Sequence, residues 1–413
     1  MLSPYRVLDL TNERGLLCGQ ILADLGADVV QIEPPGGSPA RRLGPFVDDV
    51  PHPDRSLHWW GHCRNKRGVT LDLDRPEGRD LLHRLVARAD FLIESETPGV
   101  QAARGLDYAA LAAVNPKLVY VSITPFGQDG PKARWADSDL VLMAAAGPLA
   151  LMGDADRAPL RMSVPQAYAH ASAEAAGAAL VAHHERVRSG RGQHVDVSAQ
   201  QAIALATQSN LLNSAVGFPD ATRTSGGTRL GPLSVRFVFP ARDGHVSITF
   251  LFGSSVGPFT RRLMSWAHDE GFCDAATRDK DWVQFMDRIF TGDETFAELE
   301  RAKEVVAALT RTKTKAELLA AALERDLLIA PVATTREVVE SRQLAARAYW
   351  QDVAHPELGR TVRYPGPFAK LGATPIQYRR RPPTVGEHNA EIYSGELALD
   401  GGTLARLASE GII

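Results

Sequence analysis

Cysteine is scarce in this chain of 413 residues, and long apolar runs are missing from it. The three cysteines, Cys18, Cys63 and Cys273, lie far apart and form no CxxC pair. This spacing argues against a disulfide framework and a cysteine-rich zinc site, and it indicates a reducing compartment. A membrane-spanning helix requires about 18 consecutive apolar residues, and no run in the sequence is that long. The first residues lack the pattern of a signal peptide. We therefore expect a soluble, cytoplasmic protein.

Charge of one sign is not in excess either. The chain has 46 Lys and Arg against 49 Asp and Glu, a net formal charge of −3. Such balance argues against a nucleic-acid-binding surface and against a polybasic membrane anchor. A hydrophobic fraction of 44% with 23% charged residues is ordinary for a globular enzyme and excludes wholesale disorder. The length suggests two or three domains, or one large domain with an insertion.

The first half of the chain alternates predicted strands with predicted helices. Apolar runs predict strands at 7–10, 27–33, 69–73, 91–93, 117–123 and 194–197. Helical spacing of apolar residues, or a run rich in alanine, predicts helices at 16–25, 76–86, 108–114 and 163–188. Strands that alternate with helices of about 10–15 residues imply right-handed βαβ crossovers. The predicted fold class is therefore α/β, with a mostly parallel, doubly wound sheet.

Composition divides the chain into four segments. Residues 1–208 contain the alternating pattern and predict the first part of a large domain. Residues 209–235, rich in Gly, Ser, Thr, Pro and Asn, predict a linker. Residues 236–330 fit a smaller α+β domain. Residues 331–413 contain many Pro and Gly residues, and we expect them to return to the large domain or to wrap around a partner.

Most sequence motifs that would identify a cofactor are missing. No GxxxxGK[ST] phosphate loop is present, and the glycines within 189–192 precede a strand rather than open a helix. His183 and His184 are adjacent, so they point in different directions on a helix, and no HExxH motif occurs. Loop cations such as Arg41 and Arg42 suit a phosphorylated ligand, because guanidinium groups bind phosphate in a bidentate manner. A solvated, charged rim explains them equally well.

Several segments, spaced along nearly the whole chain, form a more specific pattern. They are LADLGADVVQIEPPGG (22–37), RNKRGVTLDLDRPEGRDLL (64–82), ADFLIESETPGV (89–100), NPKLVYVSITPFGQDGP (115–131), RSGRGQHVDVS (188–198), APVA (330–333) and GEHN (386–389). In this order, they resemble the class III CoA-transferase family of the CaiB/BaiF type. The resemblance implies a large Rossmann-like domain built from both chain ends, a smaller inserted domain and two interlocked subunits. It also implies coenzyme A or an acyl-CoA as substrate, no covalently bound cofactor and no metal.

The same resemblance implies a set of residues that contact CoA. They are Arg41, Arg42, Leu71, Leu73, Arg104 and Lys132. Arg41 or Arg42 is expected at the phosphates, with Arg104 and Lys132 as weaker candidates, and the two leucines would flank the adenine. The chain departs from the family pattern at Asp74, where Lys is common, and at Ser95-Glu96, where Asn-Phe is common. Arg104 is also displaced by one residue from the usual arginine.

The aspartate that family members use as the nucleophile is missing from this sequence. By resemblance its position is taken by Tyr168, and no Asp occurs between Asp156 and Asp196. A phenol has a pKa of about 10, and its ester offers no route to an enzyme-bound CoA thioester. Glu174 lies six residues farther along a helix and would face another direction. His170 is a candidate general base, although a packed or hydrogen-bonded histidine is at least as good an explanation.

Three hypotheses follow from this substitution. In the first, the chain is a component of a class III CoA-transferase, and a homologous partner subunit supplies the aspartate. Subunits of heteromeric succinyl-CoA:benzylsuccinate-type CoA-transferases resemble this arrangement. In the second, the chain forms a homodimer that binds an acyl-CoA and performs lyase-like or hydratase-like chemistry with Tyr168 or His170. In the third, it is a non-catalytic CoA-binding scaffold. All three imply an acyl-CoA ligand, and the first also implies a carboxylic acid.

Overall fold

A six-stranded parallel sheet lies in the first of the two units into which the chain divides. The computed structural model describes residues 1–230 and 233–413. The first unit contains residues 1–148, 162–209 and 343–413, and the second contains 149–161 and 210–342. Both ends of the chain therefore belong to the first unit.

The strands of the sheet follow the alternation that the sequence predicts. They are β1 (Arg6–Asp9), β2 (Asp28–Glu33), β3 (Arg67–Thr70), β4 (Phe91–Glu94), β5 (Val119–Thr124) and β6 (His194–Ser198). Their order is β3-β2-β1-β4-β5-β6, and all neighbouring pairs run parallel. The predicted α/β class with a mostly parallel sheet is confirmed. The strand order reverses between β1 and β4, and open sheets bind ligands outside the carboxyl ends of the strands at such a point.

Helices connect these strands, and two more helices follow the last strand. They are α1 (Leu16–Asp24), α2 (Leu57–Cys63), α3 (Pro76–Val86), α4 (Val100–Arg104), α5 (Tyr108–Val114), α6 (Asp139–Ala145), α7 (Ala167–Ser189), α8 (Ala199–Ala204) and α9 (Gln208–Leu211). Helix α3 begins at a proline, which lacks the N–H that a first turn leaves unpaired. Its Leu82 and Leu85 pack with Leu8 of β1 and Leu92 of β4 in the core of the first unit. Burial of each such leucine contributes about 1.5–3 kcal/mol.

The second unit contains two antiparallel sheets and a group of helices. Its strands are β7 (Gly227–Leu230), β8 (Leu233–Arg236), β9 (Val238–Ala241), β10 (Gly244–Ile248) and β11 (Ile329–Pro331). Its helices are α10 (Gly257–Asp269), α11 (Ala275–Arg278), α12 (Phe285–Thr291), α13 (Phe296–Arg311), α14 (Lys315–Arg325) and α15 (Thr335–Val339). Strands β9 and β10 form a hairpin, and Phe239 and Val246 from them pack with Trp282 and Phe285 in the core of this unit.

The C-terminal segment covers the outer edge of the parallel sheet. Its elements are α16 (Arg342–Ala346), β12 (Gln351–His355), β13 (Arg360–Tyr364), a π-helical segment (Ala390–Glu396) and α17 (Gly401–Ser409). Asn389 accepts a hydrogen bond from the backbone N–H of Thr70 in β3 (2.9 Å), and the hydroxyl of Tyr393 donates to the Thr70 carbonyl (2.8 Å). These bonds satisfy backbone groups that an edge strand would leave open.

Short 3₁₀ turns punctuate the connections. They are Pro39–Arg42, Val47–Asp49, Pro53–Arg55, Pro148–Leu151, Leu205–Thr207, Ser214–Val216 and Pro356–Leu358. Within the described ranges, no helix is long and apolar enough to cross a membrane. The same residues contain no group of three or more His, Cys, Asp or Glu side chains that could hold a metal ion.

Candidate functional site

A crevice of about 220 Å³ lies at the carboxyl ends of β1 to β4, where the strand order reverses. Leu71 and Leu73, which follow β3, line it together with Arg104 at the end of α4. The other lining residues are Leu10, Thr11, Asn12, Ile32, Glu33, Pro34, Ser38, Pro39, Asp72, Asp74, Glu96 and Gln101. The structure thus brings Leu71, Leu73 and Arg104, all expected near CoA, to one crevice.

Arg104 is held at the rim of this crevice by two acidic side chains. Asp74 lies 2.8 Å from its guanidinium and Glu96 lies 3.7 Å away. All three residues are among the positions at which we expect the sequence to depart from the family pattern. The Asp74 side chain is 74% exposed, and exposed ion pairs contribute only about 0.2–1 kcal/mol. Another anion, such as a phosphate, can therefore replace Asp74 at little cost.

Arg41 and Arg42 are neighbours in sequence but have different surroundings. The Arg41 side chain is 1% exposed. Its Nε and Nη2 donate to the Glu33 carboxylate at 2.6 and 2.7 Å, and its Nη1 donates to Asp54 at 2.8 Å. The guanidinium also lies 3.7 Å from the centroid of the Trp59 ring. Arg42 is exposed, and its side chain has no hydrogen-bond or ion-pair partner within the described ranges. Arg42 is therefore the arginine that a ligand can reach.

Lys132 lies apart from the crevice. Its ammonium group is 5.4 Å from the ring centroid of Trp135 and 5.8 Å from that of Phe126. The two rings meet edge to face at 6.3 Å. Cation–π contacts of this length are favourable but weak at exposed sites, about 0.5–1 kcal/mol. Lys132 is thus placed beside an aromatic pair rather than beside Leu71, Leu73 and Arg104.

Gln101 in the wall of the crevice is a residue that the sequence did not single out. It is 6% exposed, and its side-chain Oε1 has no hydrogen-bond partner within the described ranges. An unpaired buried amide oxygen is unfavourable by about 1–3 kcal/mol, so a water or a ligand donor is expected there. Only its position on the short helix α4, next to the displaced Arg104, could have suggested it.

The hydroxyl of Tyr168, which the sequence predicts at the position of the family nucleophile, donates a hydrogen bond to Oδ2 of Asp137. The other oxygen of Asp137 accepts from Nη2 of Arg14 at 2.8 Å. Burial, and then the Asp137 carboxylate, raise the pKa of the Tyr168 phenol above its usual value. The phenol therefore stays protonated at neutral pH. Asp137 thus accepts one hydrogen bond from Tyr168 and one from Arg14, and these bonds link the three side chains in series.

The acidic residue next along the loop has a structural role. Asp139 Oδ1 accepts hydrogen bonds from the backbone N–H groups of Gln166 (2.6 Å) and Ala167 (2.9 Å), at the start of α7. Ser138 caps α6 by accepting from the Val141 N–H at 3.3 Å. These contacts satisfy N–H groups that the first turn of a helix leaves unpaired. The Asp139 carboxylate thus binds the N-terminus of α7, the helix that carries Tyr168.

The two weaker catalytic candidates, His170 and Glu174, lie on the same helix. Both side chains are exposed, and neither makes a hydrogen bond or ion pair with the described part of the chain. Because a helix turns about 100° per residue, they cannot share the direction of Tyr168. The structure does not bring His170 or Glu174 to the contact between Tyr168 and Asp137.

A buried acid, also missed in the sequence, lies at the end of β4. Glu94 is 2% exposed and accepts a hydrogen bond from the Glu96 N–H at 2.8 Å. Burial raises its pKa to about 7. Ser122, which contacts Glu94, also lies 2.9 Å from Nε2 of His194. No motif marks these residues, because the three lie on different strands.

Comparison with known sequences identifies relatives that match this chain over most of both sequences. The family model described as CoA-transferase family III matches residues 2–389. The chain is 34% identical over 395 residues to succinyl-CoA:(R)-benzylsuccinate CoA-transferase subunit BbsE of Thauera aromatica, covering 94% of this chain and 93% of the relative. It is 32% identical over 414 residues to succinyl-CoA–D-citramalate CoA-transferase of Chloroflexus aurantiacus, covering 100% and 98% of the two chains.

A solved structure has the same fold. A CaiB/BaiF family protein from Brucella suis superposes with a TM-score of 0.81 at 26% identity, and the match covers 95% of this chain and 98% of the other. The similarity therefore extends over both units of the chain rather than over the parallel sheet alone.

Proposed function

The chain belongs to CoA-transferase family III, and on that basis we propose that it is a transferase subunit without a nucleophile of its own. In this proposal, the enzyme moves CoA from an acyl-CoA to a carboxylic acid, and a homologous subunit supplies the aspartate. The name of the Thauera aromatica relative identifies that protein as a subunit, which supports a heteromeric enzyme. The resemblance of this chain to interlocked, Rossmann-like family members supports a dimer with such a partner or with itself.

The chemistry requires a carboxylate that is free to attack. The aspartate attacks the donor thioester, which gives a mixed anhydride and releases CoA thiolate. The thiolate then attacks the aspartyl carbonyl of the anhydride, which gives an aspartyl-CoA thioester and releases the donor acid. The acceptor carboxylate attacks this thioester, which gives a second mixed anhydride and releases CoA thiolate. The thiolate attacks the acceptor carbonyl of that anhydride, which gives the new acyl-CoA and regenerates the aspartate. A protonated phenol such as Tyr168 cannot replace the carboxylate in these steps.

The contact between Tyr168 and Asp137 is the observation that supports the proposal best. Asp137 is the carboxylate that contacts Tyr168, but its side chain is only 6% exposed and both of its oxygens accept hydrogen bonds. Hydrogen bonds from a guanidinium and a phenol stabilise the anion. This stabilisation lowers its reactivity toward a thioester, so Asp137 acts as a structural partner of Tyr168.

We propose that CoA binds in the crevice beside Arg104. Leu71 and Leu73 would flank the adenine, and Arg42 and Arg104 would contact the phosphates. Buried Arg41 would hold the loop that presents Arg42, through Glu33 and Asp54. Lys132, beside Trp135, would lie nearer to the other end of the ligand. In the proposed reaction CoA is a substrate, and no metal or other cofactor takes part.

Transfer assays on the purified chain and on a reconstituted complex test the proposal. The chain alone should transfer no CoA from succinyl-CoA to any member of a panel of carboxylic acids. Co-expression with a homologue from the same genome that has Asp at the position of Tyr168 should give an active complex. The homologue alone, and the complex in which its Asp is replaced by Ala, are the controls. Robust transfer by the isolated chain would contradict the proposal.

A further inference from the structure

A second cavity, of about 370 Å³, lies beside the contact between Tyr168 and Asp137. Its lining residues are Arg14, Thr97, Pro98, Pro125, Ala133, Arg134, Trp135, Ala136 and Asp137. We call it the arginine cavity. Thr97 and Pro98 belong to the loop that follows β4, and the preceding residue of that loop, Glu96, lines the crevice with Arg104. One loop therefore borders both the crevice and the arginine cavity.

The charges in the arginine cavity do not cancel. Arg14 and Asp137 neutralise each other through their 2.8 Å ion pair. Arg134 is exposed, and within the described ranges its guanidinium has no carboxylate or hydrogen-bond partner. One positive charge thus remains in the lining, and Lys132 adds a second cation next to Trp135. A cavity with an excess of guanidinium groups suits a carboxylate or a phosphate.

The backbone leaves room for the Arg134 guanidinium. Gly99, which precedes α4, has a φ of +96°, and a Cβ built on it would lie 3.2 Å from Nη2 of Arg134. A side chain at this position would crowd the guanidinium and would also strain the backbone. The guanidinium is therefore placed against the loop after β4, close to the prolines of the cavity wall.

The remaining lining is apolar. Pro98, Pro125 and the exposed Trp135 indole, 58% accessible, form the walls. Apolar walls with a few polar groups are typical of small-molecule sites, in which the polar groups fix the orientation of the ligand. A ligand for this cavity has both an anionic group and an apolar portion.

We propose that the arginine cavity binds the acceptor acid, and that Arg134 binds a second carboxylate that does not react. This inference rests on the proposed function, since it assumes that the aspartate supplied by the partner subunit acts beside Tyr168. Because Asp137 both lines the cavity and contacts Tyr168, one end of a bound acid lies near the position of the missing nucleophile. The other end lies at Arg134. The preferred substrate class is therefore a dicarboxylic acid with an apolar substituent or chain, rather than a monocarboxylic acid.

Binding of matched acids to the isolated chain tests this inference without any need for catalysis. Calorimetry compares phenylsuccinate with 3-phenylpropanoate, and glutarate with butyrate, so that each pair differs by one carboxyl group. We expect each dicarboxylate to bind at least about tenfold more tightly than its partner, as a charge-assisted bidentate pair allows. In Arg134→Gln this preference should disappear, and in Arg134→Lys part of it should remain.

The controls distinguish a bound carboxylate from a bound phosphate of CoA at Arg134. Arg347→Gln, an exposed arginine of the first unit outside the cavity, should keep the preference. Free CoA should bind Arg134→Gln as tightly as it binds the unaltered chain. A selective loss of CoA affinity in Arg134→Gln would assign this arginine to a phosphate and overturn the inference. Equal binding of the paired acids to the unaltered chain, or no binding of either, would also overturn it.

The experiments distinguish a failure of this inference from a failure of the proposed function. If the isolated chain prefers dicarboxylates but also transfers CoA by itself, the inference stands and the borrowed nucleophile is wrong. If the complex with an Asp-bearing homologue is active but shows no change in KM for dicarboxylates in Arg134→Gln, the function stands and the inference is wrong.

Discussion

Tyr168 and Asp137 share a hydrogen bond although 31 residues separate them in the chain. We expect the phenol to take the place of the family carboxylate, and the carboxylate of Asp137 that it contacts is in turn neutralised by Arg14. The loop before α6 and the first turn of α7 are thus joined by polar contacts. These contacts leave neither Tyr168 nor Asp137 free of a partner, as the proposed function requires.

Removal of the Tyr168 hydroxyl should affect stability more than transfer. In Tyr168→Phe the hydrogen bond to Asp137 is lost, and the free energy of unfolding should fall by about 1–2 kcal/mol. Transfer by the complex with an Asp-bearing homologue should stay within about twofold, because the phenol takes no part in the chemistry. Urea denaturation and the transfer assay measure the two effects.

Asp137→Asn is the informative companion variant. It keeps the size of the side chain and removes its charge, so any transfer by the isolated chain that depended on this carboxylate would vanish. A loss of more than about 100-fold in the Tyr168→Phe complex would instead indicate that the phenol is a proton donor or acceptor. Either result would count against a purely structural role for the pair.

The order of elements was predictable from local patterns, because caps and apolar spacing are local. The predicted helices 76–86 and 108–114 have the observed bounds of α3 and α5. Pro76 fixes the first of these starts, and Asp107, which accepts from the Ala110 N–H at 3.0 Å, fixes the second. The start of α7 was predicted at 163 but lies at Ala167. The backbone N–H groups at that start donate to Asp139, which is too distant in sequence for a local pattern to reveal.

The roles of individual cations were not predictable, because burial depends on contacts that are distant in sequence. By sequence, Lys66 is a cation next to a predicted strand, as are Arg41 and Arg42, yet its ammonium is fully buried and lies 2.8 Å from the Asp9 carboxylate. Arg64 is similarly paired with Asp24 at 2.7 Å. The domain boundaries at 208, 235 and 330 and the six CoA contacts stay predictions.

Arg41 and Arg42 offer a matched pair for testing the CoA crevice. Arg42→Ala should weaken CoA binding by about tenfold and leave the free energy of unfolding nearly unchanged, since the side chain is exposed and unpaired within the described ranges. Arg41→Ala should lower the free energy of unfolding by about 3–5 kcal/mol, because it leaves the buried Glu33 carboxylate without its partner. Calorimetry with CoA and denaturation with urea give the two readings.

The opposite pattern would contradict this assignment. If Arg42→Ala binds CoA normally while a folded Arg41→Lys variant loses affinity, the phosphates contact Arg41 and the ion pairs with Glu33 and Asp54 must open on binding. Arg41→Lys keeps the charge but not the bidentate geometry, so it separates loss of binding from loss of folding.

If CoA binds in the proposed crevice, Asp74 competes with its phosphates for Arg104. In Asp74→Asn the guanidinium is released from its 2.8 Å ion pair, and CoA should bind several-fold more tightly. Arg104→Gln should weaken CoA binding, and Asp74→Asn should have no further effect in that background. A double-mutant cycle on CoA affinity measures this coupling. Independent effects of the two substitutions would show that Arg104 does not contact the ligand.

The buried carboxyl of Glu94 should make stability depend on pH. Burial raises its pKa from 4.5 to about 7, so between these values the folded protein binds more protons than the unfolded chain. Stability therefore falls as pH rises through this window, by about 3 kcal/mol for this group.

Glu94→Gln, which cannot ionise, should lack that fall, whereas Glu185→Gln on the exposed face of α7 should retain it. Urea denaturation at several pH values between 4.5 and 7.5 measures the free energy of unfolding of each variant and of the unaltered chain. The histidines are the same in all of them, so their contribution cancels in the difference. Parallel curves for Glu94→Gln and the unaltered chain would mean that Glu94 ionises normally, and hence that water reaches the end of β4.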